Sequence, residues 1–99
     1  MAAVIDIGRL ITHSPGIHGD RPIIAGTGVT VRRIVIWYKL GATPEEIVER
    51  IGHLTLAQVY AALAYYHANR EIIETDIADE EAAYEKLMGE YYAQQQPQP

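Results

Sequence analysis

The sequence predicts a mainly α-helical fold, with a small β-hairpin at its start, three short helices in its middle and an extra acidic helix at its end. Three observations carry this reading. Turn residues and β-branched residues are concentrated before Thr30. Two helix-start signatures, Thr43-Pro44-Glu45-Glu46 and Thr55-Leu56-Ala57-Gln58, follow one another at short spacing. Most of the acidic residues come after residue 70.

Residues 9–12 and 22–25 read as short strands, joined by the turn residues Ser14-Pro15-Gly16 and Gly19-Asp20. Gly26-Thr27-Gly28 punctuates the exit, and residues 29–31 add a little extended chain. A first helix is predicted over residues 31–40. Thr30 stands at its N-cap and Gly41 at the position just past its end, where a left-handed residue commonly terminates a helix. Its expected core face is Ile34, Val35, Trp37 and Tyr38. The second helix starts at a strong signal: Thr43 caps, Pro44 fits the first helical position and Glu46 completes a capping box. It carries Ile47, Val48 and Ile51, and Gly52-His53-Leu54 ends it. Thr55 and Gln58 then open a third helix over residues 55–70, so the spacing is helix, three-residue turn, helix.

In that third helix Leu56, Val59, Leu63 and Tyr66 form the stripe expected to face the core. Ala57, Ala61, Ala64 and Ala68 form a second stripe of small residues. It suits dense packing on a neighbouring helix, or close approach to a dimer mate or to DNA. After a break at residues 75–79, residues 80–93 read as an acidic amphipathic helix with Tyr84, Leu87, Met88 and Tyr91 on one side. Residues 94–99 are polar and Pro-ended, which predicts fraying. The chain divides into a unit at residues 1–70 and an acidic helix with its tail at residues 71–99.

The chain has 99 residues, 8 Lys+Arg against 13 Asp+Glu, and no Cys or Phe. A domain of this length buries only about 60 to 65% of its unfolded surface, so a homodimer is expected to help stabilise it. Without Cys there is no disulfide framework, thiolate metal site or thiol nucleophile. The start of the chain lacks a basic segment, and its apolar run stops at Asp6, unlike a signal peptide. The apolar run at residues 34–38 is far short of the roughly 20 residues that span a bilayer. The expectation is a cytoplasmic protein without membrane contact. His13, His18 and Asp20 share a loop but offer no helical ligand pair and no evident fourth ligand, so no metal or other cofactor is expected. Gly26-Thr27-Gly28 lacks the rest of any phosphate-loop fingerprint. No nucleophile, base and acid arrangement or paired carboxylates emerge from the spacing, and the chain reads as a non-enzyme.

A net charge of -5 argues, taken whole, against nucleic-acid binding. The charges are not mixed, however. Residues 1–70 hold seven Lys+Arg and five Asp+Glu, a balance of +2, whereas residues 71–99 hold one and eight, a balance of -7. If the chain binds double-stranded DNA, the third helix would enter the major groove with Thr55 and Gln58 nearest the bases. Arg32, Arg33 and Arg50 are the candidate phosphate contacts, with Arg9, Arg21 and Lys39 in reserve. The third helix has no Lys or Arg before Arg70, and these cations also fit a plain solvated surface. Tyr84, Leu87, Met88 and Tyr91 are the candidate partner-binding residues, suited to a hydrophobic groove. Packing within the chain or a dimer is the alternative for them.

The ordered run Ser14-Pro15-Gly16-Ile17, Gly19-Asp20-Arg21-Pro22-Ile23-Ile24-Ala25-Gly26-Thr27, Val29 and Val31, then Leu40-Gly41-Ala42-Thr43-Pro44-Glu45-Glu46-Ile47 and Leu54-Thr55, ends with Val59, Ala61, Ala62, Leu63, Tyr65 and Tyr66. Residues 11–70 thereby resemble the domain of unknown function 433 family, often described as VapB-type antitoxins. The resemblance implies a three-helix, homeodomain-like helix-turn-helix preceded by a small β element. It also implies an antitoxin that blocks a PIN-like ribonuclease toxin and represses its own promoter. The chain departs from the family pattern at Gly28, where an Arg is usual, and at Thr30 and His53, where Pro is common. Two other readings stand beside the antitoxin: a stand-alone helix-turn-helix transcriptional regulator, and a protein-interaction or dimerisation module without DNA binding.

Overall fold

The computed structural model describes residues 4–13 and 20–95, and these form four helices and a two-stranded antiparallel sheet. The expected mainly helical fold with its N-terminal hairpin is what the chain adopts. The proposed turn at Ser14-Pro15-Gly16 and the loop residues His18 and Gly19 lie outside the described residues, as do residues 96–99 of the polar end.

Strand β1 (Ile11–His13) pairs with β2 (Pro22–Ile24) in the register Ile11 to Ile24 and Thr12 to Ile23. The first strand begins later than residue 9, because Ile7–Arg9 form a 3-10 turn whose start is capped by Asp6 accepting from the Gly8 amide at 2.9 Å. Gly26 takes a positive φ of 78°. Beside it the Thr27 hydroxyl donates to the Ile24 carbonyl (2.8 Å) and accepts from the Val29 amide (3.0 Å). The Gly26-Thr27-Gly28 segment is thus a turn closed by its own hydrogen bonds. It returns the chain so that Thr30 bridges back to Ile23.

Helix α1 (Val31–Lys39) is capped by Thr30, and Gly41 follows it with φ 99°. Its buried face is Val31, Ile34 and Val35, with Trp37 half-buried. Tyr38 does not join the core as expected: it is exposed and lies edge-on to His67. Residues 31, 34 and 35 already define the inward direction of so short a helix. Helix α2 (Pro44–Arg50) has the full Thr43–Glu46 capping box and buries Ile47. Helix α3 (Leu56–Ala68) packs on both α1 and α2. Val59, Ala62, Leu63 and Tyr66 are its core residues. Leu56 is the second departure, remaining 42% exposed in the first turn, whereas Ala62 is fully buried. Of the alanine stripe only Ala61 is buried; Ala57, Ala64 and Ala68 face solvent.

The largest correction concerns the last helix. It does not begin at residue 80 after a break: α4 runs from Arg70 to Gln95, separated from α3 by Asn69 alone. Asn69 ends α3 with φ -132°, and its side-chain amide donates to the Tyr65 carbonyl at 3.0 Å. The modest helix propensity of Thr75, Asp76 and Asp79 is overridden by packing. Ile73 and Ile77, one turn apart, sink into the core with 1% and 6% exposure, each worth about 1.5–3 kcal/mol of apolar burial. The α3–α4 junction falls at Asn69, and the hydrophobic core continues across it to Ile77. A helix of 26 residues is about 39 Å long. As far as Glu85 the helix still borders α1 across a groove lined by Ile36, Glu80, Glu81, Tyr84 and Glu85, and the molecule measures 73 × 28 × 22 Å.

Candidate functional site

Two surfaces collect the residues that the sequence singles out: the start of α1 with the α2–α3 connection, and the far half of α4. The first α4 turns, the root of the helix, govern both.

The root of α4 is tied to the body by ion pairs. The Asp76 carboxylate accepts from Arg21 Nε at 2.7 Å and from Arg32 Nη1 at 3.3 Å. Arg32 Nε also lies 2.6 Å from a Glu80 oxygen. Two residues before Asp76, Glu74 accepts from Lys39 Nζ on one oxygen and from the Tyr66 hydroxyl on the other, both at 2.5 Å. These contacts hold the Glu74 carboxyl below its ordinary pKa, the lysine contributing most and the tyrosine next, and the Lys39–Glu74 hydrogen bond raises the Lys39 pKa. Asp76 likewise raises the pKa of Arg21, mainly through its hydrogen bond. The acidity of residues 71–80 is in this way directed at the cations of the hairpin and α1.

The candidate DNA-binding residues are consequently placed in different circumstances. Arg32 is largely buried between Asp76 and Glu80, so its charge is spent within the chain. Arg33 is exposed at the start of α1. Arg50, in the last turn of α2, sits with its guanidinium 5.0 Å from the centre of the Trp37 ring. Thr55 and Gln58 make the capping box of α3. The Gln58 amide donates to Thr55 Oγ1 at 3.2 Å, and Gln58 Oε1 accepts from the Thr55 amide at 2.8 Å. The Gln58 oxygen that would pair with an adenine amino group is therefore engaged by the backbone, leaving its NH2 free to donate. The outward face of α3 carries Leu56, Ala57, Tyr60 and Ala64, with no cation among them.

On the second surface, Tyr84, Leu87 and Tyr91 are all at least half exposed and Met88 is partly covered. These four lie beyond the last core residue, Ile77; Tyr84 still borders Ile36 of α1 across a groove that Glu80, Glu81 and Glu85 also line. Tyr91 also stacks edge-on against Tyr92, 5.7 Å between ring centres. Sequence reasoning missed the root residues Ile73, Glu74, Asp76 and Ile77. The signals were the two apolar residues four apart and the carboxylates at 76 and 80 with the same spacing, a pattern that marks one helix face aimed at a cationic neighbour.

Among the described residues no group of three or more His, Asp or Glu stands together as a metal site, and no helix is long and apolar enough to cross a membrane. His13 meets the Tyr65 hydroxyl at 3.3 Å.

Comparison with known proteins adds the family. Residues 11–66 match the family described as "Protein of unknown function (DUF433)". No curated protein matches the chain. A crystallised DUF433 member from Anabaena variabilis ATCC 29413 is similar in structure, with a TM-score of 0.67 and 31% sequence identity. The match covers 71% of this chain and 69% of that one. The matched segment takes in the hairpin, α1, α2 and α3 up to Tyr66, and on that basis this chain belongs to the DUF433 family.

Proposed function

We propose that this chain is a non-enzymatic, antitoxin-like regulator of the cytoplasm that neutralises a PIN-like ribonuclease by means of its α4 tail. The observation that carries the reading is the exposure of Tyr84, Leu87 and Tyr91 on the acidic helix beyond its last core residue, Ile77. A ribonuclease must expose a basic RNA-binding surface, and a helix with apolar anchors among Glu81, Glu85 and Glu90 complements it in charge and in shape. In this reading α1, α2 and α3 form a homeodomain-like helix-turn-helix that contacts the operator. Arg33 and Arg50 supply phosphate contacts, and Thr55 and Gln58 approach the bases.

A second reading is favoured by a specific observation. With Arg32 consumed by Asp76 and Glu80, and with no cation on the outward face of α3, the phosphate-binding complement is small. That suits a regulator that works by protein contact without binding DNA.

The test of the main reading is co-expression with the ribonuclease encoded by the neighbouring reading frame. The full chain should relieve its growth inhibition and co-purify with it in a defined ratio, and Tyr84→Ala with Leu87→Ala should abolish both. A neighbouring frame without a ribonuclease, or relief that survives the double substitution, refutes the antitoxin role. Binding of the pure protein to its own upstream DNA over a salt series separates the two readings. Absence of salt-dependent binding even at about 50 mM salt eliminates the operator contact.

A further inference from the structure

The carboxylates at the root of α4 meet the cations of the body in order. Lys39, in the last turn of α1, holds Glu74, whereas Arg32, in the first turn, holds Asp76 and then Glu80. A line of negative charge on α4 is thus laid along a line of positive charge on α1, as a nucleic-acid backbone would be. With Arg21 on Asp76, three of the seven Lys and Arg of residues 1–70 are occupied in this way.

These contacts differ in what else they do. Glu74 and Asp76 flank the core residues Ile73 and Ile77 and are partly covered. Glu80 lies past the last core residue and its side chain is 47% exposed, yet its carboxylate reaches to 2.6 Å from Arg32 Nε. Arg32 is therefore gripped twice, by Asp76 on Nη1 and by a half-exposed Glu80 on Nε. Beside that second grip is an open hollow of about 440 Å³, lined by Gly28, Thr30, Arg32, Arg33, Trp37 and Glu80 among others. Glu80 is the one carboxylate among the described residues that line it.

We propose that Glu80 is a built-in competitor for phosphate, holding on Arg32 the place that a phosphate of a nucleic-acid backbone would take and so keeping the affinity of the free chain low. In the operator contact proposed above, on which this inference rests, Arg32 becomes a third phosphate contact beside Arg33 and Arg50. The chemistry is the same for both anions, since a guanidinium N–H donates to a carboxylate oxygen as it does to a phosphate oxygen. The approach is open as well, because an anion arriving from water can stand where a half-exposed carboxylate already stands.

The charge that remains after Glu80 lets go is positive. Asp76 still orients Arg32, but Arg21 also holds Asp76, at 2.7 Å, so one carboxylate is shared by two guanidiniums. Arg33, on the same hollow, has no ion-pair partner among the described residues. Asp79 borders a different cleft, beside Arg21 and Asp76. The fold does not depend on Glu80, because a pair with one half-exposed member adds little to stability.

The experiment uses the full chain, Glu80→Gln, and Glu71→Gln as a control. Glu71 is exposed on the same helix and has no ion pair among the described residues, so its substitution makes the same charge change away from Arg32. Binding is measured over a salt series to a duplex of upstream DNA by fluorescence anisotropy and to tripolyphosphate by calorimetry. Glu80→Gln should keep the natural urea midpoint and bind both anions about fivefold more tightly at about 50 mM salt. Its salt dependence for DNA should steepen by about 0.9, the slope of one further phosphate. Glu71→Gln should shift the affinity by less than about twofold. Adding Arg32→Gln to Glu80→Gln should remove the gain. A gain of equal size in Glu71→Gln overturns the proposal, because net charge alone then accounts for it. So does DNA binding that Glu80→Gln leaves unchanged, although the operator contact then stands. Tighter tripolyphosphate binding by Glu80→Gln, with no DNA binding by either chain, sustains the competitor and removes the operator contact. Failure of both chains to bind either anion overturns both.

Discussion

Arg32 of α1 and Asp76 of α4 form an ion pair at 3.3 Å, both side chains more than four-fifths buried, and the same carboxylate holds Arg21 at 2.7 Å. This pair joins the family-matched segment to the helix that follows it. Removing the carboxylate takes one contact from Arg21 and one from Arg32, whose largely buried guanidinium then keeps only Glu80 as its ion-pair partner. Asp76→Ala should therefore destabilise the fold by about 1–3 kcal/mol in urea denaturation. Arg33→Ala, one residue along but exposed, should change stability by less than about 0.5 kcal/mol.

The Thr55–Gln58 capping box separates a structural from a DNA-reading role at the start of α3. Thr55→Ala should cost about 1 kcal/mol in thermal or urea unfolding. Gln58→Glu keeps an acceptor for the Thr55 amide, and places negative charge in the first turn where the helix dipole favours it. Its stability should be equal to or above that of the natural chain. Its affinity for upstream DNA should nevertheless fall, because the new negative charge would enter the strongly negative field of the duplex and lose the NH2 donor offered to the bases. Equal DNA affinity would remove Gln58 from the interface.

Glu74 makes stability depend on pH. Its carboxyl pKa is lowered in the fold by Lys39 and the Tyr66 hydroxyl. Its contribution is thus complete above the ordinary carboxylate range and is lost as pH falls through the lowered value. Lys39, raised by the same contact, contributes fully below its ordinary value near 10.5 and loses that contribution at still higher pH. Urea midpoints measured across this range should decline on the acid side. Glu74→Gln should lower the midpoint at neutral pH and flatten the acid decline. A parallel curve at all pH values would assign the acid sensitivity to other groups.

Gly89 lies inside the projecting half of α4 with open space where a side chain would go. Gly89→Ala should stabilise the helix locally by about 1 kcal/mol. Amide hydrogen exchange around residues 85–93 should slow by about fivefold while exchange in α1 stays the same.

The sequence announced the middle of the fold with little ambiguity because local chemistry decided it. Thr30, Thr43 and Thr55 each cap the helix expected of them, and Gly41 takes the left-handed conformation. The start of α4 was illegible for the opposite reason. Asp76 and Thr75 look like helix breakers, and what makes them helical is the burial of Ile73 and Ile77 and two arginines brought from positions 21 and 32. Such contacts depend on residues more than 40 positions away, which no local pattern reveals. Arg32 shows the same limit at the candidate site. It reads from sequence as a cation available to phosphate, and only the fold brings Asp76 and Glu80 onto it.

The root of α4 completes the core through Ile73 and Ile77, and in the proposed function its tail serves a partner. A chain ending at Asp79 retains Ile73, Asp76 and Ile77 but loses Glu80 and all four tail anchors. Its urea unfolding, measured beside its binding to the ribonuclease of the neighbouring reading frame, separates the two parts. The predicted result is a shortened chain that still unfolds cooperatively but no longer binds. A chain that fails to fold, or one that binds the ribonuclease as tightly as before, would contradict it.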